Sequence, residues 1–303
     1  MSKNNKNRRI IFVHGKNTKP TPTVHRELLL KSLRAGFAKT EYSDDIVSFD
    51  DDSFLLCAWS DLLYPDYEEP QILQSAVERL VQQSQEPRKW SGASSLAICL
   101  RRYLYFLVDY FPALIKLLPV RHLDSMLEGT RAYLENDNGK AVDIRARLSS
   151  LMKSVLLNDE QEILIIAHSL GSVIAYDLLA SQPQWMDTRS VQLLTLGSPL
   201  GLRYIQARIF GSMKVYPSAV SHWDNVSAYG DMVSLDTTLQ DDFVKMKELG
   251  VLERINDIVG IKTRYKDVNG MNPHKSYGYL AHPTVAGLVA AWYLDCEVEV
   301  NEQ

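Results

Sequence analysis

The chain has 303 residues, of which 46% are hydrophobic and 23% are charged, and its formal net charge at pH 7 is −4. This is the composition of an ordinary globular protein, and the length suits one large α/β domain. A negative net charge provides no general positive field to hold nucleic acid, so a nucleic-acid partner is not expected.

The cysteines and the first residues bear on the compartment. The three cysteines are far apart and show no C-x-x-C spacing: Cys57, Cys99 and Cys296. Their odd number and spacing predict neither a disulfide nor a zinc site. We expect buried free thiols instead. Residues 1–9 are polar and basic, and we expect a disordered leader there. The apolar run that follows is too short for an export signal, which favours a cytoplasmic protein.

Short apolar runs alternate with amphipathic segments along much of the chain. Runs rich in β-branched residues indicate buried strands, and apolar residues at helical spacing indicate helices packed on them. The predicted strands are 10–13, 54–59, 163–167, 191–196, 226–229 and 261–265, and the predicted helices are 24–38, 71–85, 142–157, 172–180 and 284–294. This order predicts a single α/β domain over residues 10–303, with a mostly parallel central sheet and helices on both faces.

Residues 62–158 interrupt the alternation and are predicted to form an inserted helical cap, or lid. Segment 96–120 is the most apolar in the chain and has the length of a membrane span, but it is interrupted by Arg101, Arg102, Asp109, Pro112 and Lys116. A pair of buried lid helices is therefore preferred. The alternative is a lid that receives acyl chains or makes peripheral contact with a membrane.

Ser169 stands at the end of a predicted strand in A-H-S-L-G, which has the form G-x-S-x-G with Ala167 at the first glycine position. Small residues two positions before and after the serine permit a tight turn from strand to helix, which exposes the hydroxyl. The amide hydrogens at the start of the next helix favour negative charge at this turn. Ser169 is therefore the candidate nucleophile.

A serine nucleophile needs a base, and the base needs an acid that orients it. Asp231 directly follows the predicted strand 226–229 and should lie at the same edge of the sheet as Ser169. Asp224 and Asp236 are nearby alternatives, of which the first precedes that predicted strand and the second lies deeper in a loop.

Two histidines near the carboxyl end of the chain are candidates for the base. His274 lies in a polar loop after the last predicted strand, which suits a general base, and it is preferred. His282 directly precedes Pro283 and the last predicted helix, and we expect it to start that helix.

The loop after the first predicted strand is the candidate for an oxyanion hole. Gly15 lets the backbone approach closely, and an amide at Gly15 or Lys16 can donate to an oxyanion, with the amide of Leu170 as the second donor. His14 and His168 are expected to support these segments rather than to act as bases.

Three segments together resemble the α/β-hydrolase superfamily, in its lipase, esterase and inositol-deacylase branch: F-V-H-G at 12–15, A-H-S-L-G-S at 167–172 and L-T-L-G-S-P-L-G at 194–201. The segment H-K-S-Y-G-Y-L-A-H-P-T-V at 274–285 is similar to the histidine loop and closing helix of that group. The resemblance covers residues 10–61 and 162–294, and it implies the α/β-hydrolase fold. It leaves out 62–158, so the substrate stays open.

The sequence thus predicts a serine hydrolase that cleaves carboxylic esters, with lipids or phospholipids among the candidate substrates and without a metal or organic cofactor. Two alternatives remain. One is a catalytically silent fold that binds a ligand or docks on a membrane. The other is thioester cleavage, amide cleavage or acyl transfer by the same residues, since all of these use the same oxyanion chemistry.

Overall fold

The computed structural model describes residues 7–83, 130–156, 162–181, 191–209 and 216–296. Its strands are β1 Arg8–Val13, β2 Phe54–Cys57, β3 Glu162–His168, β4 Val191–Leu196, β5 Val220–Ala228 and β6 Arg254–Ile261, with a short pair β7 Lys266–Asp267 and β8 Gly270–Met271. Its helices are α1 Pro22–Phe37, α2 Pro70–Gln83, α3 Lys140–Val155, α4 Leu170–Ala180, α5 Arg203–Ile209, α6 Val244–Glu248, α7 Ser276–Leu280 and α8 Pro283–Leu294.

The first six strands form one parallel sheet in the order β2-β1-β3-β4-β5-β6, and β7 pairs with β8 in antiparallel orientation. The protein therefore has an α/β fold with a parallel central sheet flanked by helices, as predicted. Because all strands of this sheet run the same way, the loops that follow them meet at one edge.

Both faces of the sheet are buried, which explains the continuous apolar runs of its central strands. Successive side chains alternate between two cores: Ile10 and Phe12 of β1 face one core, and Ile11 and Val13 face the other. Residues of α1, α2, α7 and α8 fill the first core. Residues of α3, α4, α5 and α6 fill the second.

The weakest predictions were the strand limits in the last third of the chain. β5 begins at Val220 rather than residue 226, since polar residues on its first half concealed it. The last strand was placed wrongly at 261–265: β6 ends at Ile261. β6 lies at the edge of the sheet and most of its residues are only partly buried, so it lacks the apolar run on which the prediction depended.

Parts of the predicted leader and lid are also described. The leader was expected to reach residue 9, but β1 already begins at Arg8 because it pairs there with β3. Within the predicted insert 62–158, α2 packs in one core and α3 in the other. These two segments therefore belong to the helical layers of the sheet. Segment 96–120, on which the lid predictions depend, lies outside the described residues.

Two further expectations concern membranes and thiols. Among the helices in the described ranges, none is both long and apolar enough to cross a membrane. Cys57 is a buried free thiol, as predicted, whereas Cys296 is exposed because it follows the end of α8. Cys99 lies outside the described residues.

Candidate active site

The candidate site lies at the ends of two neighbouring strands, β1 and β3, whose following helices pack on opposite faces of the sheet. After β1 the chain enters α1 on one face, and after β3 it enters α4 on the other. The two loops therefore diverge and leave a crevice at the carboxyl ends of β1 and β3, the place where α/β sheets generally bind ligands. Gly15 and Ser169 occupy this crevice.

Ser169 has an unusual backbone conformation, with φ 54° and ψ −127°. Such a conformation costs on the order of 1–3 kcal/mol in a residue with a side chain and persists only where its surroundings impose it. Here the N–H of Ser169 donates to the carbonyl of Leu196 at 3.0 Å, and the serine ends β3 just before α4. The tight turn from strand to helix predicted from the sequence is therefore present, and its backbone is strained at Ser169.

Glycine is required on both sides of this turn. A Cβ on Gly171 would lie 2.2 Å from the carbonyl oxygen of Val13, and one on Gly15 would lie 2.8 Å from the Cβ of Ser169. The first turn of α4 thus packs directly on the end of β1. The pentapeptide and the F-V-H-G segment are parts of one contact.

Ser169, His274 and Asp231 form a continuous chain of hydrogen bonds. The Oγ of Ser169 lies 2.9 Å from Nε2 of His274, and Nδ1 of His274 lies 2.9 Å from Oδ2 of Asp231. The serine follows β3, the aspartate follows β5 and the histidine lies in the loop between β8 and α7. A neutral imidazole held in this way can accept the proton of the hydroxyl while the carboxylate stabilises the resulting imidazolium.

Asp231 is 1% exposed, yet it is held as a carboxylate. Burial by itself would raise its pKa, but the charge of His274 and the hydrogen bonds from His274, Tyr279 and the N–H of Val233 lower the pKa to about 2. The hydroxyl of Tyr279 donates to Oδ2 at 2.6 Å, and the N–H of Val233 donates to Oδ1 at 2.8 Å. Asp231 is therefore ionised and fixed in direction at neutral pH.

The loop after β4 packs against the hydrogen-bonded residues Ser169, His274 and Asp231. Gly197 has φ 56°, and a Cβ there would lie 2.5 Å from Oδ2 of Asp231. In the same loop, the hydroxyl of Ser198 lies 2.7 Å from that of Ser172, which donates to the carbonyl of Ser169 at 2.6 Å. The segment L-G-S-P thus contacts both the turn at Ser169 and the carboxylate of Asp231.

Two further histidines lie beside the chain in neutral form. Burial, followed by the charge of His274, lowers the pKa of His168 well below its usual value. Its Nε2–H donates to the backbone oxygen of His274 at 2.5 Å, so it orients the histidine loop. Burial lowers the pKa of His14 to about 3, and its ring stacks on Trp59 while its Nε2 accepts from the N–H of Trp59 at 3.2 Å.

The structure separates the remaining candidates from this chain of contacts. Asp224 lies within β5 rather than before it and pairs with Arg254 and Asn256. Asp236 accepts from the N–H of Thr238 in its own loop. His282 is the N-cap of α8, where its Nδ1 accepts from the N–H of Thr284 at 3.2 Å.

Both segments predicted to form an oxyanion hole lie beside the serine. Leu170 is the first residue of α4, and Gly15 and Lys16 follow β1 and line the cleft that contains Ser169. Backbone amides at the start of a helix and in such a loop can donate to negative charge that develops next to the serine.

Several residues of the site were missed from the sequence. Tyr279 lies in the segment quoted for the histidine loop, but nothing in the sequence distinguishes it from Tyr277. The cleft beside Ser169 has a volume of about 490 Å³ and also includes His25, Lys19, Glu68 and Lys275. These residues come from three separate parts of the chain, so no local pattern brings them together.

Comparisons with known proteins add nothing to this geometry. No protein-family model matches the chain, and neither a curated protein nor a solved structure matches it.

Proposed function

We propose that this protein is a serine hydrolase of the α/β-hydrolase superfamily that cleaves carboxylic esters through a Ser169–His274–Asp231 triad. The observation that carries the proposal is the pair of 2.9 Å contacts from Ser169 to His274 and from His274 to Asp231. The order of the three residues along the chain, serine then aspartate then histidine, also agrees with that superfamily.

In the proposed reaction, the Oγ of Ser169 attacks the ester carbonyl carbon while its proton passes to Nε2 of His274. The backbone amide of Leu170, with that of Gly15 or Lys16, would stabilise the tetrahedral oxyanion. The bond between the carbonyl carbon and the alcohol oxygen then breaks, and His274 gives its proton to that oxygen. Water then takes the place of the alcohol. Its oxygen attacks the acyl carbon while His274 takes its proton, the bond to Oγ breaks, and His274 returns the proton to Ser169.

The strained backbone of Ser169 supports a functional role for this serine. Strain of this kind is concentrated at sites where a side chain must be presented in one direction. The buried carboxylate of Asp231 supports the same reading, because a carboxylate inside a protein is costly unless its partners keep it charged.

Labelling with a fluorophosphonate probe tests the proposal without knowledge of the substrate. We expect the intact protein to be labelled and the label to map to Ser169. The variant Ser169→Ala should not be labelled, whereas Ser154→Ala, which changes an exposed serine on α3, should be labelled normally.

Hydrolysis of p-nitrophenyl acetate gives the second measurement. The proposal requires wild-type and Ser154→Ala protein to release p-nitrophenol faster than Ser169→Ala. Absence of labelling together with equal rates for wild type and Ser169→Ala would instead favour a silent fold that binds a ligand.

A further inference from the structure

The cleft beside Ser169 carries more positive than negative side chains. Among the described residues that line it are three lysines, Lys16, Lys19 and Lys275, and one carboxylate, Glu68. The lining is polar in other respects too, since Asn17, Thr18, Tyr64, Asn272 and Ser276 also contribute to it. A cleft of this kind attracts anions, because low-dielectric walls concentrate the field of the charges within it.

The lysines are held at the cleft by the surrounding chain. The ammonium of Lys19 donates to the backbone oxygens of Asn17 at 2.8 Å and Thr18 at 3.3 Å, and also to that of Lys16. Lys275 lies 4.0 Å from Glu68, at the outer limit of an ion pair. Glu68 is therefore a distant counter-charge for Lys275.

The protonation of Lys19 depends on what the cleft contains. Burial, and then the charge of Lys275, lower the pKa of Lys19 to about 7. A bound anion would favour the ammonium and raise this pKa again.

A second cavity at Ser169 is different in character. A narrow recess there, of about 10 Å³, is lined by Pro199, Leu202, Ile205 and Val233, together with Lys16 and Thr130. His274 lines the cleft but does not line this recess. The cleft and the recess therefore differ both in polarity and in access to the imidazole.

The position of His274 determines which part of an ester lies in the cleft. The histidine must give its proton to the alcohol oxygen as the ester bond breaks, so that oxygen has to lie within reach of Nε2. The alcohol part of the substrate then extends into the cleft with the lysines. The recess of about 10 Å³ has room for about one water molecule, so it does not define where the acyl part lies.

We infer that the substrate is an ester whose alcohol part carries an anionic group, a carboxylate or a phosphate, bound by Lys275 beside Lys19, whose three N–H donors are already taken by backbone oxygens. This inference rests on the proposed serine hydrolase function and adds a substrate class to it. Paired lysines in a partly enclosed cleft suit either anion, since an ammonium binds both as a point charge.

Matched ester pairs test the inference. The first pair is para-carboxyphenyl acetate and para-carbamoylphenyl acetate, which have similar shape but differ in the charge of the alcohol part. The second pair is phenyl hydrogen succinate and phenyl succinamate, which differ in the charge of the acyl part. A third alcohol, para-phosphonophenyl acetate, compares phosphonate with carboxylate. Each kcat/KM is divided by the rate of alkaline hydrolysis of the same ester.

We expect wild-type protein to prefer the carboxyphenyl to the carbamoylphenyl ester by about tenfold or more, which corresponds to about 1.4 kcal/mol. Lys275→Gln should reduce this preference several-fold, Lys275→Arg should retain it, and Lys247→Gln, an exposed lysine on α6, should leave it unchanged. Glu68→Gln should increase it, because the cleft then loses its carboxylate. Added salt should diminish the preference in wild type.

The outcomes separate this inference from the function on which it rests. Equal rates on the first pair, with hydrolysis abolished in Ser169→Ala, would overturn the inference and leave the serine hydrolase intact. A preference for the charged acyl group in the second pair would overturn the assigned direction of the substrate. Absence of Ser169-dependent hydrolysis of all five esters, together with absence of fluorophosphonate labelling, would refute both.

Discussion

Replacing Gly197 with alanine should disconnect Asp231 from His274 while the fold persists. Gly197 has φ 56°, and a Cβ there would lie 2.5 Å from Oδ2 of Asp231 and 3.1 Å from Nδ1 of His274. Contact between a carbon and an oxygen normally begins near about 3.3 Å, so the carboxylate must retreat by roughly 0.8 Å. The 2.9 Å hydrogen bond from His274 then lengthens beyond the range in which it holds.

Two effects of the substitution can be separated by magnitude. The left-handed backbone costs an alanine about 1–2 kcal/mol relative to glycine, which lowers the free energy of unfolding. The displaced carboxylate lowers the rate, since misplacing a reacting group by about 1 Å can cost on the order of a hundredfold. We therefore expect a modest loss of stability and a large loss of hydrolysis.

Gly250→Ala is the matched control. Gly250 has φ 66°, and a Cβ there would meet no atom within 4 Å, so this variant carries the backbone cost without the collision. Urea unfolding should give similar losses of stability for the two variants, while fluorophosphonate labelling and ester hydrolysis should fall only in Gly197→Ala. If the rates of the two folded variants agree within about threefold, the reasoning about the carboxylate is refuted.

Three further predictions concern buried groups near the sheet. Tyr279→Phe should lower the free energy of unfolding by about 1–3 kcal/mol, because a buried backbone N–H and Asp231 each lose a partner; an unchanged urea midpoint would contradict this. The pKa of His14 falls from 6.5 to about 3 on folding, so the unfolded state takes up the proton first and stability is lost as pH drops below about 6.5. The urea midpoint should therefore fall less in His14→Gln than in wild type when the pH is lowered from about 7.5 to about 5. Equal decreases in the two proteins would show that His14 is not a source of this loss of stability. Cys296 should react with maleimide in the native protein, whereas Cys57, buried and with its pKa raised to about 12, should react only after denaturation, as peptide mapping will show.

The central strands were predictable because they are buried on both faces. Such strands favour apolar residues on both faces, and the largely apolar runs at 163–167 and 191–196 consequently match β3 and β4 closely. Residues 220–225 of β5 were missed for the opposite reason. The buried Asn225 is satisfied by Thr195, Asp257 and a backbone carbonyl, partners that lie on other strands and loops. No local pattern reveals such partners.

The same distinction applies to the candidate site. Ser169 was predictable because its turn depends on small neighbours in the sequence, and Asp231 because it directly follows a strand. The structure brings both together with His274, which the sequence favoured over His282 only by its loop. Tyr279, Lys19 and Lys275 could not be found, because their relation to Ser169 arises from the packing of distant segments.

The amino ends of the parallel strands offer a place for attachment. At that end of the sheet, the guanidinium of Arg8 donates to the carboxylate of Asp295 at 2.7 Å. The described chain therefore begins and ends at neighbouring positions. A strand of six residues places them about 20 Å from the edge that carries Ser169. A tether attached at Arg8 or Asp295 would therefore hold the protein on a sensor chip with the candidate site turned toward solution.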